Sequence, residues 1–142
     1  MINKDLIKKR LAELRKNVGA LREFSGFGLG DLRKDVKISW AVEHGLQLSI
    51  QLVLDIGSHL LAELGENNLE DYADIIAALG RVGILPLEFS QKIKQMAGFR
   101  NLLVHEYAEI DLVVVYRVLQ DGLADFEVFG QYIEAYLDVE SG

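Results

Sequence analysis

The spacing of apolar residues constrains the fold of this chain more than any other feature of the sequence. In the first segment these residues recur three and four positions apart, at Ile7, Leu11, Leu14, Val18 and Leu21. Because an α-helix turns once in about 3.6 residues, they form one stripe that must pack against a neighbour. Later segments repeat the spacing, and none alternates apolar and polar residues as a half-buried strand would. The pattern predicts an all-α fold.

Residues that break or cap helices divide this pattern into segments. The breaks are a glycine cluster at 26, 28 and 30, an Asn67-Asn68 pair, and Gly83 with Pro86, while Asp31 and Asp111 are good N-caps. The predicted helices cover about residues 3–24, 31–65, 69–82, 86–104 and 111–139. Five helices with short loops indicate an up-and-down bundle in a single domain of residues 1–142.

Length and composition exclude several classes of protein. A chain of 142 residues can bury one core but is too short for two. No run of 18 residues lacks polar groups, so we expect no membrane span, and the first residues lack a signal-peptide pattern, which favours a cytoplasmic location. The absence of cysteine excludes disulfides, thiolate catalysis and cysteine-based zinc sites.

Charge is distributed unevenly along the chain. The net charge is −7, yet residues 1–37 carry ten Lys or Arg against five Asp or Glu, a net +5, and residues 38–142 carry five against seventeen, a net −12. A basic first helix could attract RNA to an otherwise acidic protein. The alternative is that its cations only form the solvated face of a helix; they are Lys8, Lys9, Arg15, Lys16 and Arg22.

The residues best suited to catalysis lie near the end of the fourth predicted helix. Arg100 offers a planar charged fork that matches phosphate oxygens, and His105 can exchange protons near neutral pH. In a continuous helix Tyr107 would lie about 20° from Arg100, whereas His105 would lie about 140° away. Arg100 and His105 therefore converge only if the Arg side chain swings round or the helix unwinds near His105. These residue types predict phosphate chemistry.

Other polar and aromatic groups receive mainly structural interpretations. Asp55 and His59 lie one helical turn apart and could form a metal pair or an acid–imidazole pair. With no third ligand at a recognisable spacing, a buried pair or a partner-facing contact is favoured over a metal site, and Asp55 is kept as a candidate support residue. We therefore expect no metal and no cofactor. Trp40, Tyr132 and Tyr136 are interpreted as core or interface residues.

The eight residues from Arg100 to Tyr107 read R-N-x-x-x-H-x-Y, and with them the chain resembles the HepT-like toxins, which are HEPN-domain ribonucleases paired with a minimal nucleotidyltransferase (MNT) antitoxin. Arg100, Asn101, His105 and Tyr107 match the family motif position by position. The resemblance covers about residues 1–138. One departure is His44, where the family pattern favours a basic Arg or Lys. Outside the motif, the sequence also resembles the family at 41–43 with Gln47, at 55–60 and at 96–99.

The resemblance implies a function and a set of roles. It implies the toxin of a type II toxin–antitoxin system, acting as an endoribonuclease whose motif lies at the interface of a two-fold homodimer. Arg100 and His105 would be catalytic, and Asn101 would bind phosphate or orient the imidazole. Tyr107 would accept AMP from the antitoxin and so silence the toxin. With no metal or thiolate in the expected site, cleavage would use the 2′-hydroxyl of the RNA.

Two alternatives remain open from the sequence. The chain could be a catalytically silent HEPN module that binds a nucleotide or a protein partner. The net negative charge of residues 38–142 favours this interpretation. If the motif is accidental, it could instead be a small helical dimerisation protein with no ligand.

Overall fold

The computed structural model describes residues 2–104 and 110–141, and within those ranges the chain is helical between short turns, with no strand. This confirms the all-α prediction. A π-helical turn at Val118–Gly122 joins the last two helices. The helices are α1 (Lys4–Arg22), α2 (Leu29–Lys34), α3 (Val36–Glu63), α4 (Tyr72–Arg81), α5 (Leu87–Ile93), α6 (Gln95–Val104), α7 (Leu112–Arg117) and α8 (Leu123–Ser141).

The structure divides three of the five predicted helices and shortens another. The π-helical turn divides the fifth, and side chains cap the backbone where the second is divided and where the third begins. The second is divided at Asp35, whose backbone is extended and whose carboxylate accepts from the Lys37 N–H at 2.9 Å, which starts α3 anew. The third begins at Tyr72 rather than near 69, since Asp71 and Asp74 form a reciprocal capping box. The fourth is divided at Lys94 into α5 and α6.

Helix α3 lies at the centre of the bundle. It packs against α1 on one side and against α4 and α6 on another, and α1 also packs against α8. Its buried apolar side chains recur at helical spacing and include Val42, Leu46, Ile50, Val53, Ile56 and Leu60. They join side chains of the other long helices in one continuous core, with Phe126 and Phe129 of α8 among the largest buried groups.

The central helix is also the one described helix whose length and composition would allow it to cross a membrane. Its best 18-residue window has a mean hydropathy of 1.2. However, 56% of that window is buried inside the bundle, and a central core helix passes the same test of length and composition. The hydropathy of α3 is therefore accounted for by its packing.

Helices α4 and α5 approach each other at a glycine. A Cβ added to Gly80 would lie 2.6 Å from Ser90 Oγ and 2.7 Å from its Cβ, closer than real side chains pack. Ser90 is buried, and its hydroxyl donates to the Ile76 carbonyl of α4 at 2.7 Å. The missing side chain of Gly80 thus allows the contact on which this hydrogen bond depends.

We predict that Gly80→Ala lowers the free energy of unfolding by about 1–3 kcal/mol, because the new methyl group must push α5 away from α4. Gly19→Ala is the matched control: Gly19 lies inside α1 with no neighbouring atom within 4 Å of an added Cβ. That substitution should raise stability by about 0.5–1 kcal/mol through helix propensity. Urea unfolding followed by circular dichroism at one fixed protein concentration measures both. Equal stabilisation by the two substitutions would contradict the close contact.

Candidate functional site

Arg100 lies on α6, with its side chain half-buried at the edge of the core. The rotation of α6 is fixed by Phe99 and Leu103, which lie one turn apart and are both buried. Because they face inward, Arg100 is directed along the side of the helix that meets α3 and the start of α4, two elements that pack against α6.

Two contacts with residues in the described part of the chain hold the guanidinium group. Its Nε donates to Gln51 Oε1 of α3 at 3.2 Å. Its Cζ lies 4.6 Å from the ring centroid of Tyr72, the first residue of α4, which is within the range of a cation–π contact. The predicted catalytic arginine is therefore placed by residues from two other helices.

Asp55 is connected to Arg100 through Gln51. Gln51 Nε2 donates to Asp55 Oδ1 at 2.9 Å, one turn further along α3. Three residues thus form a series in which the Gln51 amide accepts from a cation and donates to an anion. The contact of Asp55 with the arginine is therefore indirect, and its role as a support residue stays a prediction.

The interpretation of Asp55 and His59 as a buried pair is wrong, because both side chains are exposed. They line a groove of about 320 Å³ between α1 and α3, together with Arg10 and Ser58. Among residues 2–104 and 110–141, no three His, Cys, Asp or Glu side chains gather as a metal-binding group would. A partner-facing role for this pair stays a prediction.

The other motif residues differ in how far they can be placed. Asn101 follows Arg100 on α6 and its side chain is exposed, where a ligand could reach it. His105 and Tyr107 lie outside the described residues. The expected convergence of His105 on Arg100 therefore stays a prediction.

The basic face of α1 is partly neutralised by α8. Arg15 pairs with Glu134, and Arg22 pairs with Glu127, so two of the five cations singled out in the sequence meet carboxylates across the helix interface. All four side chains are about half exposed, so each pair adds little stability. The other three cations are exposed on α1 and are Lys8, Lys9 and Lys16.

The three aromatic residues interpreted as core or interface residues differ in how far they are buried. Trp40 is 66% exposed, so a core role for it is wrong and an interface role stays a prediction. Tyr132 packs against Phe89, with ring centroids 5.3 Å apart. Tyr136 is partly buried, and this burial, together with the charge of Glu140, raises the pKa of its hydroxyl.

An apolar groove of about 710 Å³ lies between α6 and the α7–α8 segment. Leu102 of α6 lies at this groove and is 50% exposed. The groove is therefore close to the motif in sequence and offers apolar surface that the bundle leaves uncovered. Its lining includes Met96, Phe99, Val114, Val118 and Phe126.

Sequence reasoning missed two residues at this site. Gln51 precedes Asp55 by four positions, so their shared helix face was a readable signal. Tyr72 gave no such signal, because its contact with Arg100 joins residues far apart in sequence.

Comparison with known proteins gives consistent results. A family model described as "Ribonuclease HepT-like" matches residues 14–133. The chain is 29% identical to the tRNA nuclease HepT of Aphanizomenon flos-aquae over 93% of this chain and 90% of that protein. It is 27% identical to the mRNA nuclease HepT of Shewanella oneidensis over 92% of this chain and 98% of that protein. Among solved structures, the tri-AMPylated S. oneidensis HEPN toxin in complex with MNT antitoxin superposes with a TM-score of 0.83 at 27% identity, covering 92% of this chain and 98% of that one.

Proposed function

This chain belongs to the HepT-like ribonuclease family, and from that premise we propose that it is the ribonuclease toxin of a toxin–antitoxin pair, acting in the cytoplasm as a single domain that cleaves RNA without a metal ion. The observation that carries the proposal is the R-N-x-x-x-H-x-Y motif within the matched residues 14–133. Two relatives named as nucleases of tRNA and mRNA support RNA as the substrate.

The proposed reaction uses the RNA's own nucleophile. His105 of one protomer acts as the base and removes the proton of a 2′-hydroxyl. O2′ then forms a bond to the adjacent phosphorus, and the bond from phosphorus to O5′ breaks. A proton must then reach O5′, which leaves as a 5′-hydroxyl beside a 2′,3′-cyclic phosphate. Arg100 stabilises the charge that gathers on the phosphoryl oxygens, where fixed cationic donors are most effective. Asn101 binds phosphate or orients the imidazole, and Asp55 supports Arg100 through Gln51.

We predict that Arg100→Ala or His105→Ala abolishes RNA cleavage and host toxicity while the protein stays helical, because each removes a group with no substitute in the motif. Removing one such group costs about a hundredfold or more in rate. End-mapping of products from total RNA, with circular dichroism of each variant, measures both effects. Addition of EDTA should leave the rate unchanged; activity that EDTA removes and Mg²⁺ restores would contradict the metal-free mechanism.

A homodimer is proposed because the reaction needs a base and an acid, and the motif offers one histidine per chain. Two-fold symmetry brings the same patch of each protomer together, so two copies of His105 can face one substrate. The exposed Leu102, next to Asn101 on α6, and the apolar groove beside it support an interface at this face.

We predict that Leu102→Glu shifts the protein from dimer to monomer and removes activity, since a charge would have to be buried in the interface. Leu64→Glu is the matched control. Leu64 is 46% exposed and lies just after the end of α3, about 20 Å along the helix from Gln51. Sedimentation velocity and RNA cleavage, measured at the same protein concentrations, test both variants. A wild-type monomer that still cleaves RNA would contradict a composite site.

Regulation by an MNT-type nucleotidyltransferase is proposed from the AMPylated toxin–antitoxin relative. Attack of the Tyr107 hydroxyl on the α-phosphorus of ATP would form an adenylylated tyrosine and release pyrophosphate. The added phosphate is anionic and lies two residues from His105 in sequence. It would compete with RNA phosphate for Arg100 and so block the site.

We predict that co-expression with a cognate MNT protein adds AMP to Tyr107 and ends toxicity, and that Tyr107→Phe escapes both effects because it lacks the acceptor hydroxyl. Intact-mass spectrometry followed by peptide mapping measures the modification. Neutralisation without any mass increase would show that the antitoxin acts by binding alone. Adenylate on Tyr72 or Tyr116 would show that the acceptor is another tyrosine.

A second candidate function is a catalytically silent HEPN module that binds a nucleotide or protein partner. The observation that favours it is the charge: the net charge is −7, and α8 carboxylates engage Arg15 and Arg22 of the basic helix. Such a module would bind a ligand yet leave RNA intact, and Arg100→Ala and His105→Ala would then change binding without any change in RNA products.

A further inference from the structure

We infer that Gln51 and Tyr72 are positioning residues that hold the Arg100 guanidinium with its terminal nitrogens directed toward the substrate phosphate, and that Asp55 acts by orienting Gln51. This inference rests on the proposed role of Arg100 in binding that phosphate. It assigns functions to two side chains that the motif does not contain.

The hydrogen bond to Gln51 uses the donor that phosphate needs least. A guanidinium has five N–H groups, one on Nε and two on each terminal nitrogen. The 3.2 Å bond runs from Nε to Gln51 Oε1. The paired terminal nitrogens keep the fork that binds two phosphate oxygens at once. Gln51 therefore fixes the rotation of the group within its plane without occupying that fork.

The contact with Tyr72 restrains a different motion. A guanidinium held over an aromatic ring, here with Cζ 4.6 Å from the centroid, is contacted on its flat face, and this contact does not use its N–H groups. The ring therefore limits the tilt of the plane, whereas Gln51 limits its rotation. Together the two contacts define the direction of the fork.

Asp55 reinforces the orientation of the Gln51 amide that Arg100 requires, since the arginine N–H can only donate and so also selects the amide oxygen. An ionised carboxylate can only accept hydrogen bonds, so it selects the amide orientation in which Nε2 points toward Asp55. The observed 2.9 Å bond has this direction and leaves Oε1 for Arg100. Asp55 is exposed, so its contribution is the orientation of the amide.

This arrangement also keeps the charge of Arg100 available. A carboxylate in direct contact would occupy the fork and offset the positive charge that the transition state needs. The neutral Gln51 amide lies between Arg100 and Asp55. Asp55 can therefore orient the amide, and the amide the guanidinium, without a direct ion pair. Small displacements of such a group can cost about a hundredfold in rate.

The kinetic test uses the shortest oligoribonucleotide that the wild-type protein cleaves. We expect Gln51→Leu to lower kcat by about 10- to 100-fold while KM changes by less than about threefold, because the fork remains but loses its direction. Tyr72→Leu should do the same, and Tyr72→Phe, which keeps the aromatic face, should retain wild-type kcat. Gln131→Leu, an exposed glutamine on α8, is the matched control and should keep both constants.

A second measurement needs no activity. In a ¹⁵N spectrum of the arginine side chains, the Arg100 Nε–H signal is identified by its disappearance in Arg100→Lys. It should move and exchange faster with water in Gln51→Leu, and stay unchanged in Gln131→Leu. Thermal unfolding of each variant checks that the fold is retained.

The outcomes separate this inference from the function it rests on. If the wild type cleaves no RNA, the proposed function fails, and the Arg100 signal still tests the geometry. If Arg100→Ala abolishes cleavage but Gln51→Leu keeps the wild-type kcat or the wild-type Arg100 signal, the inference is overturned alone. An equal fall in activity and melting temperature for Tyr72→Phe and Tyr72→Leu would also overturn it, since a merely structural role would explain that result.

Discussion

The burial of α3 is the constraint on which the rest of this structure depends. Helices from both halves of the chain pack against it, and its apolar stripes are almost fully removed from water. Each fully buried Leu, Ile or Val side chain contributes about 1.5–3 kcal/mol. Rotating α3 would expose several of these at once, so its orientation is fixed, and with it the direction of every polar residue on the helix.

That fixed orientation gives α3 a polar stripe at four-residue spacing, in which Gln51, Asp55 and His59 are consecutive members. Two of the three are exposed and Gln51 is half-buried, so the stripe follows the edge of the core. Arg100 meets it there because Phe99 and Leu103 anchor α6 on the same core. Core packing thus sets the positions of the helices at the site, and the polar contacts orient the Arg100 side chain.

The arginine side chains of this protein differ in the groups that they contact. On α1, Arg15 and Arg22 meet carboxylates of α8 directly, which lowers the positive charge they offer to a polyanion. Arg100 contacts an amide and an aromatic ring, two neutral groups. Within residues 2–104 and 110–141, Arg100 is thus held by neutral groups, and such contacts leave its charge for a phosphate. Local pairing therefore matters more to the proposed function than net charge.

The sequence by itself determined the helical class, the approximate segments and the family, because apolar periodicity and the motif are local patterns. It missed the break at Asp35, since a capping side chain competes with helix continuation by a small energy difference. It also missed the turn at Lys94, where the backbone stays in the right-handed helical region. It also suggested Asp55 without showing how that residue reaches Arg100. Only the tertiary structure decided that link and the role of Tyr72, because contacts between distant segments depend on how rigid helices pack and leave no local pattern.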